Sequence, residues 1–326
     1  MNAPIQRCAA VCALTAFLTV LSAVAGGLAP SQVYYVPFPE DNQLAGFVGV
    51  NSAAVDPLAV FVTFSASADN TVIYYDHWED GYEDDITRPK QSTTQVLGDA
   101  DYRDSSSSYV TDTVSVPAGG NARVNLSPSD DSTNFGAYHF YTTGGSPESF
   151  YALCGVDAAN PSTSGNQAYD GGFTLVGQPS LTTQVLLSLG IGRDPYSSTN
   201  PAENGNPVWI TTVGNGHSQE TVYVDFNGDN AGAFTDLNGN HYDVSYDLRE
   251  LEQKKIFDPD GDQGGMLVYV LNPDVKVAAA WAQDPTAAQT GQPGLDVATL
   301  IPPLREGDAA KGSSVAIDAD GDGSHR

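Results

Sequence analysis

The sequence predicts an all-β protein: two tandem antiparallel β-sandwich domains, jelly-roll or immunoglobulin-like, after a signal peptide. Three observations predict this. Short runs rich in β-branched and aromatic residues recur along the chain with Asp, Asn, Gly and Ser clusters between them, the pattern of hairpin strands and their turns. Helical periodicity is credible only over residues 248–255, and there a strand reading competes with it. The series of strands is also written twice, in the same order.

Residues 1–25 read as the signal peptide. A short n-region carries one positive side chain, Arg7; residues 8–21 are apolar, and Ala23-Val24-Ala25 offers a small-x-small cleavage site. Cleavage would remove Cys8 and Cys12 and leave Cys154 alone, so no intramolecular disulfide can form. Nothing local would lower the pKa of Cys154, which is therefore expected to be a buried structural thiol. No later segment is long and apolar enough to cross a membrane. The expected location is secreted, extracellular or at the cell surface.

Residues 26–165 are expected to form the first sandwich, with strands over 58–64, 71–75, 114–116, 122–126 and 137–142. Residues 166–303 form the second, with strands over 208–213, 221–225, 244–248, 266–271 and 275–281. Pro57-Leu-Ala-Val-Phe-Val-Thr-Phe64 and Thr71-Val-Ile-Tyr-Tyr-Asp76 are echoed by Pro207-Val-Trp-Ile-Thr-Thr-Val213 and Thr221-Val-Tyr-Val-Asp225. The echo continues from 114–124 to 246–256, from 136–141 to 265–270 and from 149–154 to 276–281. A polar stretch over 160–170 marks the joint, with the second unit entering at Gly172-Phe173-Thr174-Leu175. Residues 304–326 read as a linker and the start of an acidic Asp-Gly loop.

With 40 acidic side chains against 13 basic, the net charge of −27 excludes nucleic-acid binding and partnership with anionic lipid, both of which need clustered Lys and Arg. A hydrophobic content of 40% with 10% aromatic residues excludes a chain kept unfolded by self-repulsion. Loss of Arg7 leaves 12 basic side chains against 40 acidic, −28, and divalent cations are the simplest relief for that repulsion.

Four acidic patterns have the spacing of a calcium loop, in which alternate residues of a tight turn aim hard oxygens at one point. Asp225, Asn227 and Asp229 stand at positions 1, 3 and 5, with Asp236 at position 12; Asp236, Asn238 and Asn240 repeat the spacing, with Asp247 at position 12. Asp258, Asp260 and Asp262 form the third pattern, and Asp318, Asp320 and Asp322 the fourth. Asp, Asn and Gly are also ordinary turn residues, but four such patterns in so acidic a chain predict bound structural Ca²⁺. The densest cluster, 76–85, interleaves Asp76, Glu79, Asp80 and Glu83 with Trp78 and Tyr82. It reads either as a solvated hairpin loop or as a ligand loop that binds calcium, stacks on a sugar, or supplies a carboxylate pair for glycoside hydrolysis.

Other enzyme signatures are missing. The five histidines are scattered with no H-E-x-x-H, and there is no phosphate loop or zinc-type cysteine pair. Gly216-His-Ser218-Gln-Glu220 has Glu where a nucleophile elbow needs its second glycine.

Val33-Tyr-Tyr-Val-Pro-Phe-Pro-Glu40, Ile73-Tyr-Tyr-Asp-His-Trp-Glu-Asp-Gly-Tyr-Glu83, Gly205-Asn-Pro-Val-Trp-Ile210, Lys255-Ile-Phe-Asp-Pro-Asp-Gly-Asp262 and residues 280–297 resemble the N-terminal region of large secreted bacterial surface proteins. In those proteins paired β-sandwich units, distantly similar to the N-terminal domain of IgG-Fc-binding mucin-like proteins, precede conserved-repeat and immunoglobulin-like modules. The resemblance implies a surface location and an adhesive or structural role, and it supplies no catalytic residues. The chain departs from that pattern by stopping at Asp318-Ala-Asp-Gly-Asp-Gly323, where the repeats normally begin, so a fragment or a member without its stalk is expected. The expected function is a non-enzymatic surface protein stabilised by Ca²⁺, with glycans or other surface proteins as partners. The alternative is a glycan-binding or glycan-hydrolysing protein that uses the 76–85 loop.

Overall fold

The computed structural model describes residues 30–40, 58–78, 95–97, 110–126, 135–143, 150–158, 171–191, 207–282 and 298–304. Among them there is no α-helix, only the short 3-10 turn Gln178–Ser180. The expected signal peptide, residues 305–326 with Asp318, Asp320 and Asp322, and Glu79, Asp80, Tyr82 and Glu83 all lie outside the described residues. No helix among those described is long and apolar enough to cross a membrane.

The strands of the first sandwich are β1 (Pro30–Val36), β2 (Leu58–Ala66), β3 (Thr71–His77), β4 (Gln95–Leu97), β5 (Val110–Val116), β6 (Ala122–Asn125), β8 (Tyr138–Thr143), β9 (Phe150–Ala158) and β10 (Gly171–Thr174). They build two antiparallel sheets, sheet I in the order β10-β9-β2-β6 and sheet II in the order β1-β8-β3-β5-β4. The second sandwich uses β11 (Gln184–Ile191), β12 (Val208–Val213), β13 (Glu220–Asp225), β16 (Val244–Leu248), β17 (Glu252–Ile256), β18 (Asp262–Val270), β19 (Lys276–Ala282) and β20 (Ala298–Leu300). Here sheet III runs β20-β19-β12-β17, extended at its edge by β7 (Phe135–Gly136), and sheet IV runs β11-β18-β13-β16. A small hairpin of β14 (Phe234–Thr235) and β15 (His241–Tyr242) stands apart.

Sheets I and III share one strand order, and sheets II and IV share another. β2, β3, β5, β6, β8 and β9 occupy the places of β12, β13, β16, β17, β18 and β19. These are the six pairs that the sequence echo aligns. The strand order corrects one expectation. Gly171–Thr174, expected at the entry of the second unit, pairs with β9 and gives Phe173 to the first core. The polar stretch before it therefore connects two strands of one sandwich. Composition marks a loop, but only strand pairing decides which sheet the next strand joins.

Each sandwich has its own core. Val60, Val62 and Phe64 of sheet I meet Ile73, Phe140 and Val36 of sheet II, while Val208, Ile210 and Val277 of sheet III meet Val222, Val268 and Met266 of sheet IV. Side chains alternate across a strand, and both faces are buried along β1 and β8 of sheet II and β12 and β19 of sheet III, while Val72 on β3 stays exposed. On sheet II, Tyr34, Val36 and Phe140 point into the first core, whereas Val33, Tyr35 and Tyr141 pack with Val213, Leu251 and Ala278 of the second sandwich. On β19, Val277 and Ala279 point into the second core, while Ala278, Ala280 and Ala282 face the first sandwich. Those small side chains let the aromatic face of sheet II approach. All six residues of β12 are buried, as expected of a strand covered on both faces. The layers thus stack I, II, III, IV, and Trp209 of β12 reaches into the first core, 5.9 Å edge-to-face from Phe38.

Candidate functional site

Two places concentrate polar and ionisable groups. The first is the acidic end of the second sandwich, where the turn after β13 lies against the start of β18. Gly228 has φ +60° and a Cβ there would sit 2.4 Å from the Gly265 carbonyl oxygen; Gly265 has φ +86° and a Cβ there would sit 2.9 Å from that of Asn227. Only glycine fits this approach, which packs two Asp-rich turns together.

Within that end, the candidate residues fold as Asx-type turns. Asp225 accepts from the amides of Gly228 (3.0 Å) and Asn230 (2.8 Å). Asp229 accepts from Ala231 N, Asp260 from Asp262 N, and Asp262 from Gly264 N. Asp236 accepts from the amides of Asn238 and Asn240, from the Asn240 side chain, and from the Tyr269 hydroxyl at 3.0 Å. Asp236 is thus engaged by its own turn rather than by the loop before it, while Asp247 stands exposed on β16 with one oxygen accepting from the Thr221 hydroxyl. Among the described residues, no three His, Cys, Asp or Glu side chains stand close enough to share one ion.

The electrostatics are uneven across these turns. Burial pushes the Asp236 carboxyl up, but its four hydrogen bonds outweigh burial and hold it below the ordinary range. Burial pushes Asp225 up, and Asp229 and Asp243 add to this against the amides of Asn230 and Gly228. Asp258 is the extreme case. It is 3% exposed, its Oδ1 accepts from Asp260 N, and its Oδ2 has no hydrogen-bond partner among the described residues. Burial, with Asp260 and Asp243 nearby, pushes it up to about 6. A buried carboxylate oxygen with nothing to bond is the feature that suits a cation.

The second place lies between the sandwiches. Tyr35, His139 and Asp76 stand opposite one another on the adjacent strands β1, β8 and β3, on the face of sheet II turned towards the second sandwich. His139 Nε2 lies 2.5 Å from Asp76 Oδ2, and both residues are buried. Glu250, fully buried at the corner between β16 and β17, accepts from the Tyr35 hydroxyl and, at 2.7 Å, from the amide of Gly216. Asp76 and Trp78 were expected in a solvent-facing loop. Asp76 instead ends a central strand and Trp78 joins the inter-sandwich apolar cluster, because sheet II has a second sandwich over its outer face. Neither side chain faces solvent to meet a ligand.

Sequence reasoning passed over His139 and Glu250. The available signal was the double alternation in β1 and β8, where Tyr34-Tyr35 and Phe140-Tyr141 place bulky residues on both faces. A polar residue inside such a strand has to be buried. Comparison of the chain with models of protein families, with curated proteins and with solved structures finds no match.

Proposed function

We propose that this protein is a secreted or cell-surface structural and adhesive module, non-enzymatic, whose acidic end is stabilised by Ca²⁺. The observation that carries the reading is the buried Asp258 carboxylate, with an oxygen lacking a partner and with Asp243 and Asp260 as like-charged neighbours. A hard divalent ion would supply the missing partner and relieve the repulsion, with carbonyl and water oxygens completing its shell. The affinity expected of such an extracellular site is weak, Kd about 10⁻⁴–10⁻³ M. The groups suited to acid–base chemistry that the fold assembles, Asp76, His139 and Glu250, sit between two sheets and away from solvent, which supports a structural rather than a catalytic role.

The test is thermal unfolding of the protein in millimolar Ca²⁺ and in chelator at matched ionic strength. An ion bound to the folded state at a hundredfold excess over Kd adds about 2.7 kcal/mol, so Tm rises with calcium. Asp258→Asn should remove most of that rise and Asp236→Asn little of it. Equal Tm values with and without calcium would refute the reading.

A further inference from the structure

Three unfavourable features meet at the corner where the second sandwich enters the first. Leu251 is fully buried with φ +68°, a left-handed conformation that a bulky side chain rarely adopts and that persists only where surrounding structure enforces it. Its carbonyl accepts the amide of Ala137 at 2.9 Å, and its side chain is clamped among Val33, Trp78 and Tyr141. Next to it, Glu250 places a carboxylate in full burial. Across from it, Asp76 and His139 form a second buried polar pair. Strain and buried charge persist where the neighbourhood holds them, and such sites recur where a structure has two states to choose between.

We propose that the Glu250–Leu251 corner is a protonation-dependent latch that sets how tightly the two sandwiches are joined. The geometry makes Glu250 a polar contact that spans the join, beside its apolar packing. One carboxylate oxygen holds Tyr35 of sheet II, and the other holds Gly216 of the turn after β12. The corner's backbone ties β7 to the edge of sheet III through Ala137 and the pairing of Gly136 with Glu252. The titratable and charged groups around it are Tyr35, His139 and Asp76 on sheet II, His217 on the turn that supplies Gly216, and Arg249 and Glu252 beside it.

Protonation favours the closed corner. Burial raises the Glu250 carboxyl above its ordinary 4.5, partly offset by Tyr35, the Gly216 amide, His139 and the Gly214 amide. A group whose folded pKa is raised contributes stability that is complete below its unfolded value and is lost as pH rises through the folded value. The latch is therefore closed in acid and loosens as pH rises. Asp258 and the acidic end play no part in it.

Amide hydrogen exchange on the full chain, corrected for intrinsic rates, tests this at pH 5 and pH 8. Protection of Ala137 and Gly216 should fall at least tenfold more between these values than protection of Val62 and Val268 in the two cores. In Glu250→Gln, whose amide can accept from Gly216 and donate to the Tyr35 oxygen, that excess loss should vanish. Tyr35→Phe removes a bond that favours the ionised carboxylate, so the folded carboxyl rises further and the loss of protection should extend to higher pH than in the wild type, over the same amides. The latch is overturned if Ala137 and Gly216 track the cores in the wild type. It is equally overturned if Glu250→Gln, or Tyr35→Phe should the former not fold, leaves the excess loss and its pH range unchanged.

Discussion

Replacing Trp209 should uncouple the two sandwiches. Trp209 belongs to β12 of the second sandwich, yet its ring is 1% exposed in the core of the first, edge-to-face with Phe38 and grouped with Ala280 and Ala282. A buried Trp removes about 150–250 Å² from water, which at about 25 cal/mol per Å² corresponds to about 4–6 kcal/mol. Large-to-small changes at such sites cost about 3–5 kcal/mol once the surroundings relax. Trp209→Ala should therefore destabilise the chain by about 4 kcal/mol, most of it drawn from the contact between sandwiches. The chain has three tryptophans, and the two that remain report separately: Trp78 lies on the first-sandwich side of the join and Trp281 beside the second core. Urea unfolding followed by fluorescence and by far-UV circular dichroism should give coincident transitions in the wild type and two separated transitions in the variant. A variant that loses less than about 1 kcal/mol and keeps a single transition would refute the four-layer reasoning.

Further outcomes follow from the acidic end and from Cys154. With chelator present, raising pH from 5 to 8 should destabilise the protein through Asp258. Its carboxyl is raised from 3.8 to about 6, so its stabilising contribution is lost as pH rises through that value. The unfolded carboxyl is already ionised at pH 5, so about one pK unit of the shift falls between pH 5 and 8 and the loss is about 1.4 kcal/mol; Asp258→Asn should flatten the profile, and an unchanged profile would contradict the burial argument. Cys154 is fully buried and burial pushes its thiol up, so a thiol reagent should label it only as fast as the chain unfolds. Rapid labelling of the native protein would contradict that placement.

Much of the fold was legible because strand propensity and turn chemistry are local. The runs at 58–64, 71–75, 208–213 and 221–225 carry β-branched and aromatic residues between turn formers, and all became strands. The internal echo located equivalent strands because the same local pattern has to serve the same place in each sheet. The boundary near 165 was not legible, since Gly171–Thr174 looks alike as the last strand of one sandwich or the first of the next. The acidic turns were legible as turns. That Asp236 would bond its own loop while Asp258 kept an oxygen without a partner depended on the neighbouring Tyr269 and Asp260, which sequence spacing does not orient.

The sequence by itself determined an all-β chain, its acidic character, its duplicated strand order and the burial of Cys154, because each follows from residue type and short-range period. Tertiary structure alone decided that β1 and β8 of sheet II and β12 and β19 of sheet III would be covered on both faces. From that came the burial of Asp76 and Trp78 and the meeting of Glu250 with Tyr35 across 215 residues of chain. The physical reason is that a strand's period assigns side chains to two faces, but which second layer covers the outer face depends on contacts far apart in sequence.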